Sequence, residues 1–247
     1  MSGRMDHPVL TVVIPVYNDA AALRTAVPVS MEVLEGLGLP FELILCEDAS
    51  TDGSRETAEA FAAADDRIRV SHSDVRRGKG GALSDALAAS HGDIFCFYDV
   101  DLSTDLSDLH TLLERISAGA DIVIGSRFLD ESAVSRTGDR EATSVGFNRM
   151  VRLLLASSIR DHQCGFKAFR RDKLLSLMPY VQARGWTWDT EVLAIAQRCG
   201  YVIEEIPIVW TQGEKTNVRT RDIFSMGWSV LKLAWRLRVR LQYPKDV

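Results

Sequence analysis

Residues 92–105 read GDIFCFYDVDLSTD, an apolar run that ends in closely spaced carboxylates. The residues from Ile94 to Tyr98 are apolar or aromatic, which predicts a strand that is buried on both faces. Asp99 and Asp101 follow it directly, and ligands of open α/β sheets bind outside the carboxyl ends of strands. Two carboxylates at that place predict a site for Mg2+ or Mn2+ that is shared with a substrate diphosphate. The alternative is a capped turn, because Asp and Ser are common between strands and helices.

The composition of the chain indicates a globular protein of one large domain or two small ones. The chain has 247 residues, of which 46% are hydrophobic and 26% charged, as is usual for soluble domains. No apolar run reaches the roughly 18 residues of a transmembrane helix, and the start, MSGRMDHPVL, lacks the apolar core of a signal peptide. The cysteines are widely separated, which predicts free thiols in a reducing, cytoplasmic compartment rather than disulfides or zinc.

The charges are distributed unevenly along the chain. The formal net charge is −5, with −12 on residues 1–130 and +7 on residues 131–247. A basic half predicts an anionic partner, which is a phosphate, a membrane surface or a nucleic acid. A non-catalytic nucleic-acid module is disfavoured, because the basic side chains form no recognised motif and the acidic strand ends would repel phosphate backbones. We therefore predict no nucleic-acid partner.

Strand and helix patterns alternate five times before Arg127. This alternation predicts an α/β fold with a doubly wound, mostly parallel sheet. The predicted strands are 10–16, 41–46, 68–72, 94–98 and 121–125, and the predicted helices end near residues 37, 64, 90 and 117.

The alternation stops after Arg127, and no linker divides the rest of the chain. The polar stretch 129–140 is predicted to be a mobile loop. The other predicted elements are helices 143–159, 172–178, 187–199 and 222–241, and strands 164–169, 201–206 and 208–210.

Polar clusters follow three of the predicted strands, at residues 17–19, 47–52 and 99–101. Because the carboxyl ends of parallel strands meet at one edge of a sheet, we expect these clusters to lie together. Asp48 is placed to accept hydrogen bonds from a nucleobase or a ribose. Capping of the next helix is the alternative for Asp48, and Asp52 is a better candidate for that role.

Residues 76–81 read RRGKGG and open a predicted helix. Free backbone N–H groups, the helix dipole and the charges of Arg77 and Lys79 together predict an anion site. The spacing differs from that of a Walker A loop, which disfavours an ATPase. A flexible basic turn is the alternative.

Eight motifs run through most of residues 8–212. They are TVVIPVYND (11–19), CEDASTDGS (46–54), RGKGGAL (77–83), YDVDLSTD (98–105), IGSRF (124–128), QCGFKAFRRD (163–172), GWTWDTEVL (185–193) and EIPIVW (205–210). Each motif is weak alone, but the ordered set resembles the family-2 glycosyltransferases, which have the GT-A fold. The closest branch resembles the dolichyl-phosphate glucosyl- and mannosyltransferases, and RGKGGAL and CGFKAF favour the glucosyl side.

The resemblance implies how the chain is organised. It implies a GT-A type, Rossmann-like fold in a single domain with a C-terminal helical extension. Residues 8–212 would form the catalytic domain, with a nucleotide-sugar-binding half at 8–127 and an acceptor-binding half at 128–212. Residues 213–247 would form an amphipathic basic helix.

The resemblance also implies roles for residues in the first half. Pro15, Tyr17 and Asp48 match positions that hold the nucleotide base and ribose. Asp101 matches the direct metal ligand, with Asp99 nearer the ribose and diphosphate. Arg77 and Lys79, in the anion site, would complete the donor site. The pattern departs from the family at three positions, which are Glu47, Val100 and Ser103.

In the second half, the resemblance implies an acceptor site. Arg127 matches an acceptor-phosphate arginine, and Arg149 is a second candidate. Arginine suits this role because its fork makes paired, charge-assisted hydrogen bonds with phosphate. Asp189 and Glu191 match an acidic pair, which we assign to acceptor binding.

These roles predict an inverting, metal-dependent transfer of a hexose onto a polyprenyl or dolichyl phosphate, with glucose from UDP-glucose as the first choice. A lipid phosphate needs little general-base help, because its second pKa is about 6. The alternatives are GDP-mannose as donor, a nucleotidyltransferase, and a non-lipid hydroxyl acceptor. A hydroxyl would need Asp189 or Glu191 as its base. Ser103 stands where mannosyl relatives often have Gln, which disfavours mannose.

The predicted last helix combines tryptophans with basic residues in its second half. Trp and Arg together favour the surface of an anionic membrane. We predict core packing for residues 223–231 and membrane contact for residues 232–240, where Arg236, Arg238 and Arg240 would meet lipid. The protein would then be peripheral, at the cytoplasmic face of a membrane.

Overall fold

The structure, a computed structural model, describes residues 8–135, 138–212 and 220–239. Its strands are β1 (Leu10–Val16), β2 (Phe41–Asp48), β3 (Ile68–Ser73), β4 (Ile94–Tyr98), β5 (Ile122–Ser126), β6 (Ala133–Ser135), β7 (Phe166–Arg170), β8 (Ile203–Pro207) and β9 (Val209–Thr211). Its helices are α1 (Ala20–Gly36), α2 (Ser54–Ala64), α3 (Lys79–Ala89), α4 (Leu109–Ser117), α5 (Gly138–Leu155), α6 (Arg171–Leu177), α7 (Trp188–Arg198) and α8 (Thr220–Val239). Short 3-10 turns occupy Leu106–Asp108 and Met178–Tyr180.

The main sheet of the described chain has seven strands in the order β3-β2-β1-β4-β7-β5-β8. Strands β3, β2, β1 and β4 run parallel to one another, and β8 runs parallel to β5. Only β7 is antiparallel, between β4 and β5. The predicted mostly parallel α/β sheet is therefore confirmed, although the insertion of β7 was not predicted.

Strand β1 shows why the sheet is covered on both faces. Its side chains alternate between the faces, as in any strand. Val12 lies in one apolar layer with Leu23 of α1, whereas Val13 lies in the other with Leu83 of α3 and Trp188 of α7. All of these side chains are fully buried. An uninterrupted apolar strand is the sequence pattern that such double covering requires.

The stretch 129–140, predicted to be a mobile loop, contains regular structure instead. Strand β6 pairs in parallel with β9, with Ala133 opposite Val209, and α5 begins at Gly138. The Ala133 N–H also donates to the carbonyl of Ile208. The prediction was wrong because the pairing partner of β6 lies far along the chain, where a local pattern cannot indicate it.

The last helix packs on the domain. Val230, Leu233 and Leu237 of α8 are buried in the same apolar layer as α7. The predicted end of this helix, Leu241, lies outside the described residues, and α8 is described as far as Val239. No helix in the described part of the chain is long and apolar enough to cross a bilayer.

Candidate functional site

The carboxyl ends of β1, β2 and β4 lie side by side at one edge of the sheet. Strand β1 is hydrogen-bonded to β2 on one side and to β4 on the other, all in parallel. Tyr17, Asp48 and Asp99 stand at or directly after these ends. We call this edge, defined by these three residues, the polar rim. The structure thus brings the predicted polar clusters together.

Asp48 organises the neighbouring loop. It ends β2 and is only 4% exposed. Its two carboxylate oxygens accept hydrogen bonds from the backbone N–H groups of Arg77, at 2.5 Å, and Gly78, at 2.8 Å. These two residues begin the glycine loop, residues 77–81, and Gly78 has a φ of +78°, which favours glycine. Asp48 therefore anchors the loop that was predicted to bind an anion.

The glycine loop is also held from the side of α7. The N–H of Gly81 donates to the carbonyl of Arg184 at 2.8 Å. A Cβ on Gly80 would come within 2.3 Å of the Trp188 Cβ, and a Cβ on Gly78 within 2.7 Å of the Arg184 carbonyl oxygen. The glycines thus allow the loop to approach the Arg184 backbone and the Trp188 side chain more closely than any larger residue would permit.

Lys79 joins the glycine loop to the paired carboxylates. Its Nζ lies 2.7 Å from Oδ1 of Asp99, and the lysine side chain is 9% exposed. Burial disfavours the charged ammonium group, but the charges of Asp99 and Asp189 outweigh burial and raise the pKa of Lys79. Lys79 was predicted to contact a donor phosphate, whereas its contact in this structure is a carboxylate of the rim.

Asp101 lies beside Asp99 and is exposed. Its Oδ1 accepts a hydrogen bond from the Ser103 N–H at 3.1 Å. Desolvation and the neighbouring charge of Asp99 raise the pKa of Asp101. Gly165 lies against the Asp99 carboxylate, because a Cβ there would come within 1.9 Å of Oδ2. The turn before β7 therefore limits where the Asp99 carboxylate can lie.

Arg127, which follows β5, forms a nearly buried ion pair with Asp161. Its Nε lies 2.7 Å from Oδ2 and its NH2 2.9 Å from Oδ1, and the two side chains are 13% and 0% exposed. Burial opposes the charge of Arg127, but Asp161 outweighs it and raises the pKa of Arg127. Burial would raise the pKa of Asp161, but Arg127 holds that pKa below its usual range. Asp161 thus occupies one edge of the fork that was predicted to bind phosphate.

An aromatic and a cationic side chain meet at the β1 end of the rim. The guanidinium carbon of Arg76 lies 3.5 Å from the centroid of the Tyr17 ring, a cation–π contact. Tyr17 and Pro15 are partly exposed. A nucleobase is flat and can stack on the face of a tyrosine ring, as the Arg76 guanidinium does here. A nucleobase at this place would therefore displace Arg76 or occupy the opposite face of the ring.

Asp189, in the first turn of α7, forms a second buried ion pair. Its Oδ1 is 2.9 Å from Nζ of Lys167, and the two side chains are 4% and 0% exposed. Lys167 also donates to the carbonyl of Cys164. The ammonium groups of Lys79 and Lys167 lie 5.3 and 5.6 Å from the Phe97 ring centroid. Two lysines therefore lie near Phe97, and each of them pairs with an aspartate.

The family model named Glycosyl transferase family 2 matches residues 11–177. The chain belongs to glycosyl transferase family 2. The match includes the polar rim, the glycine loop and the Asp99–Asp101 pair. The resemblance to the family-2 glycosyltransferases that was inferred from the motifs is therefore confirmed.

Two curated relatives of this family 2 enzyme are informative. It is 43% identical to glycosyltransferase AglD of Haloferax volcanii over 243 residues, which cover 96% of this chain and 39% of AglD. It is 32% identical to the dolichyl-phosphate beta-glucosyltransferase of Saccharomyces cerevisiae over 221 residues, which cover 81% of this chain and 66% of the yeast protein. The chain thus spans about two fifths of the length of AglD and about two thirds of the length of the yeast protein.

Solved structures show the fold of this family 2 enzyme. Glucosyl-3-phosphoglycerate synthase of Mycobacterium tuberculosis, in complex with Mn2+, UDP-glucose and phosphoglyceric acid, matches with a TM-score of 0.68. The identity is 22%, and the match covers 94% of this chain and 79% of that one. The predicted GT-A fold is therefore confirmed.

The rim of the family 2 enzyme has the chemistry of a partial metal site. Among the described residues no group of three or more His, Cys, Asp or Glu side chains could hold a metal ion alone. Asp99 and Asp101 instead form a carboxylate pair, and desolvation together with repulsion by the Asp99 charge raises the pKa of Asp101. A cation would relieve that repulsion. Mg2+ is usually held by one or two carboxylates together with substrate phosphates, so this pair fits a metal that arrives with a diphosphate.

Two predicted acceptor residues have different settings in the structure. Arg149 is exposed on α5, and no ion pair or hydrogen bond joins its side chain to another described residue. Glu191, in contrast, is 3% exposed. Its carboxylate accepts from the N–H groups of Gln182 and Ala183 and pairs with Arg236. Contact of Arg149 with the acceptor stays a prediction. We revise the prediction that Glu191 contacts the acceptor, because both of its carboxylate oxygens already have partners inside the protein.

Several partners of the site residues were not predicted from the sequence. Asp161, Gly165 and Lys167 all belong to the QCGFKAF region or precede it directly, and Arg76 begins RRGKGG. The motifs marked these segments as important. Their contacts could not be predicted, because each partner lies on another element of the fold.

Proposed function

We propose that this enzyme transfers glucose from UDP-glucose to a polyprenyl phosphate of the dolichyl type, with inversion at the anomeric carbon. The observation that carries the proposal is the carboxylate pair Asp99–Asp101 joined through Lys79 to the glycine loop. This arrangement supports the proposal, because carboxylates are ligands of Mg2+ and a helix start favours an anion. The choice of glucose and lipid phosphate is supported by the yeast relative, which is named for both.

The donor would lie along the polar rim. Tyr17 and Pro15 would contact the base, with Asp48 near the ribose or acting through the glycine loop that it anchors. The diphosphate would lie at the N-terminus of α3, whose dipole favours anions, with Arg77 beside it. Asp99 and Asp101 would hold Mg2+ or Mn2+. When bound, the metal would offset the negative charge that develops on the departing diphosphate.

The acceptor phosphate would be held by Arg127, with Arg149 as a second contact. Asp161 fixes the Arg127 fork through Nε and NH2, which leaves NH1 for a second anion. A phosphate oxygen would attack the anomeric carbon as the bond from that carbon to the diphosphate breaks. One in-line displacement inverts this carbon, so an α-linked donor gives a β-linked product. No proton has to be removed, because a phosphate is already ionised at neutral pH.

A panel assay tests the proposal. Purified protein is incubated with Mg2+ or Mn2+, a polyprenyl phosphate and UDP- or GDP-sugars, and the lipid is examined by mass spectrometry. We expect a hexose adduct with UDP-glucose and release of UDP. An adduct only with GDP-mannose would replace the donor, and release of pyrophosphate would indicate a nucleotidyltransferase. Transfer to a sugar hydroxyl but not to lipid phosphate would replace the acceptor.

We also propose that the outer face of α8 contacts the membrane that carries the lipid. Trp228, Leu231 and Trp235 are 61%, 46% and 56% exposed, and their spacing puts them on one side of the helix. Lys232 and Arg238 are exposed as well. Aromatic residues with cationic neighbours suit the headgroup region of an anionic bilayer. The protein would then be peripheral at a membrane surface, on its cytoplasmic side.

The predicted division of this helix was wrong in its detail. Core packing was expected before Lys232 and membrane contact after it, whereas α8 alternates buried and exposed residues throughout its described side chains. Arg236 was expected to meet lipid, but it is 15% exposed and pairs with Glu191. Arg240 lies outside the described residues. Helical periodicity explains the difference, because every turn of an amphipathic helix has both a core side and a solvent side.

A further inference from the structure

Helix α8 and the glycine loop are connected through polar contacts on both sides of the short segment 182–184. Arg236 of α8 forms an ion pair with Glu191 of α7, and their side chains are 15% and 4% exposed. Oε1 of Glu191 accepts from the Gln182 N–H at 3.0 Å and Oε2 from the Ala183 N–H at 2.6 Å. The next residue, Arg184, accepts the Gly81 N–H of the glycine loop at 2.8 Å.

From these contacts we propose that Glu191 and Arg236 are positioning residues, which hold segment 182–184 against the glycine loop and so set the geometry of the donor diphosphate. The inference deepens the proposed function, on which its catalytic consequence rests. It gives Glu191 a role different from the predicted acceptor contact.

The burial of Glu191 and Arg236 makes the connection between α8 and segment 182–184 rigid. A buried carboxylate needs both a cation and hydrogen-bond donors. Glu191 has Arg236 as its cation and the backbone N–H groups of Gln182 and Ala183 as its donors. Gln182 and Ala183 belong to no helix or strand. Arg236 also donates to the carbonyl of Tyr180 at 3.4 Å. Residues 182 and 183, which follow the short 3-10 turn Met178–Tyr180, are therefore held by the side chain of Glu191 rather than by a sheet or a helix.

The glycine loop depends on that segment. Asp48 holds its first two N–H groups, but the contact on the opposite side is the Arg184 carbonyl. Gly78 lies directly against this carbonyl. A small shift of Arg184 must therefore either move the glycine loop or open a gap between the loop and the carbonyl. Lys79 would move with the loop, and Lys79 pairs with Asp99. Loss of the Glu191–Arg236 pair should thus loosen the donor side of the site.

Hydrogen–deuterium exchange of the unliganded protein tests the physical part of the proposal, because it needs no substrate. In Arg236→Met we expect faster exchange in peptides that cover residues 77–83 and 180–186, with no change in β1 and β2. The matched control is Arg198→Met. Arg198 is exposed and also joins α7 to α8, through the Leu237 carbonyl at 3.0 Å, but it does not touch segment 182–184.

Two results would overturn the proposal. One is exchange at residues 77–83 that stays at the wild-type rate in Arg236→Met. The other is an equal rise in Arg198→Met, which would indicate general loosening of α8. If Arg236→Met does not fold, the double variant Glu191→Gln with Arg236→Met replaces it, because no unpaired charge is then buried.

Kinetics tests the catalytic part. The KM for UDP-glucose should rise about fivefold in Arg236→Met, a size typical of coupling through packed networks, whereas the KM for the lipid phosphate should not change. Arg236→Lys should recover part of the effect, because it keeps the charge. An unchanged KM for the donor would overturn this part. If wild type shows no glucosyl transfer while exchange behaves as expected, the proposed function fails and the positioning of the loop stands.

Discussion

The ammonium group of Lys79 lies 2.7 Å from Oδ1 of Asp99, so one ion pair joins the glycine loop to the paired carboxylates of the rim. The lysine is nearly buried, whereas the aspartate is 44% exposed. Asp99 therefore presents a carboxylate that is oriented by the protein yet open to a ligand. This relationship leads to the first prediction.

Lys79→Met should lower turnover by about tenfold to a hundredfold, because Asp99 loses the contact that orients it. At the same time, the metal concentration that gives half-maximal activity should fall, because no ammonium group competes with the metal for the carboxylate. Metal titrations of wild type and variant measure both effects. Lys79→Arg, which keeps the charge, is the control. A higher metal requirement in Lys79→Met would show that Lys79 assists metal binding.

Asp101→Asn should abolish metal-dependent turnover while stability changes by less than about 0.5 kcal/mol, since the residue is exposed. Turnover with Mg2+ and Mn2+, together with urea unfolding, checks this. Near-normal activity would remove Asp101 from the metal site. Because the pKa of Asp101 is raised, its carboxylate takes up a proton at a higher pH than an ordinary aspartate. In wild type, the metal requirement should therefore increase as the pH falls, and excess metal should restore activity on the acid side.

Asp161→Asn should destabilise the fold by about 3–5 kcal/mol, because it leaves the nearly buried Arg127 without its counter-charge. Urea unfolding at neutral pH measures the loss. Asp172→Asn is the control, because Asp172 pairs at 3.5 Å with Arg170 and both side chains are exposed. It should change the free energy of unfolding by less than about 0.5 kcal/mol. A loss in Asp161→Asn as small as that of the control would show that Arg127 does not depend on Asp161.

The same ion pair predicts how stability depends on pH. Folding lowers the pKa of Asp161, so the folded state binds fewer protons at this site than the unfolded state. Its stabilising contribution is complete above the unfolded pKa of about 3.9 and is lost as the pH falls through the lower, folded value. Below neutrality, the difference in unfolding free energy between wild type and Asp161→Asn should shrink only at strongly acidic pH. A difference that already disappears near pH 6 would contradict this assignment.

The α8 surface should bind anionic vesicles weakly and in a salt-sensitive way. Lys232→Glu with Arg238→Glu should remove this binding, because both side chains lie on the exposed face with the two tryptophans. Arg55→Glu with Arg115→Glu changes the net charge equally on other exposed residues and should bind like wild type. Co-sedimentation at low and high salt decides. Equal loss in both double variants would indicate a net-charge effect instead of a docking face.

The buried strands could be predicted from the sequence nearly to the residue. Strands β1 and β4 match the predicted bounds. A short apolar run between polar residues can adopt few structures other than a buried strand. The place of β7 could not be predicted, since antiparallel pairing with β4 and β5 depends on contacts distant in the sequence. The same limit applies to the short strand β6 and its distant partner.

For the site, the motifs identified the segments but not all of the contacts. Asp48 and Asp99 were placed correctly at the strand ends. That Asp48 anchors the glycine loop and Lys79 pairs with Asp99 depends on the tertiary structure. Glu191 was assigned to the acceptor because it matches one member of an acidic pair in the family's motifs. Its burial and its pairing with Arg236 become visible only when α7 and α8 are packed together.

Phosphorus NMR of one reaction mixture tests the central claim most directly. The mixture contains the enzyme, Mg2+, which is diamagnetic and leaves the phosphorus signals sharp, UDP-glucose and a short-chain polyprenyl phosphate, with a parallel sample lacking metal. We predict that a phosphodiester signal from glucosyl-phospholipid and the signals of UDP grow together in equal amounts, and only with metal. Formation of pyrophosphate, or UDP released while the lipid phosphate signal stays unchanged, would contradict the claim that this enzyme glucosylates a lipid phosphate.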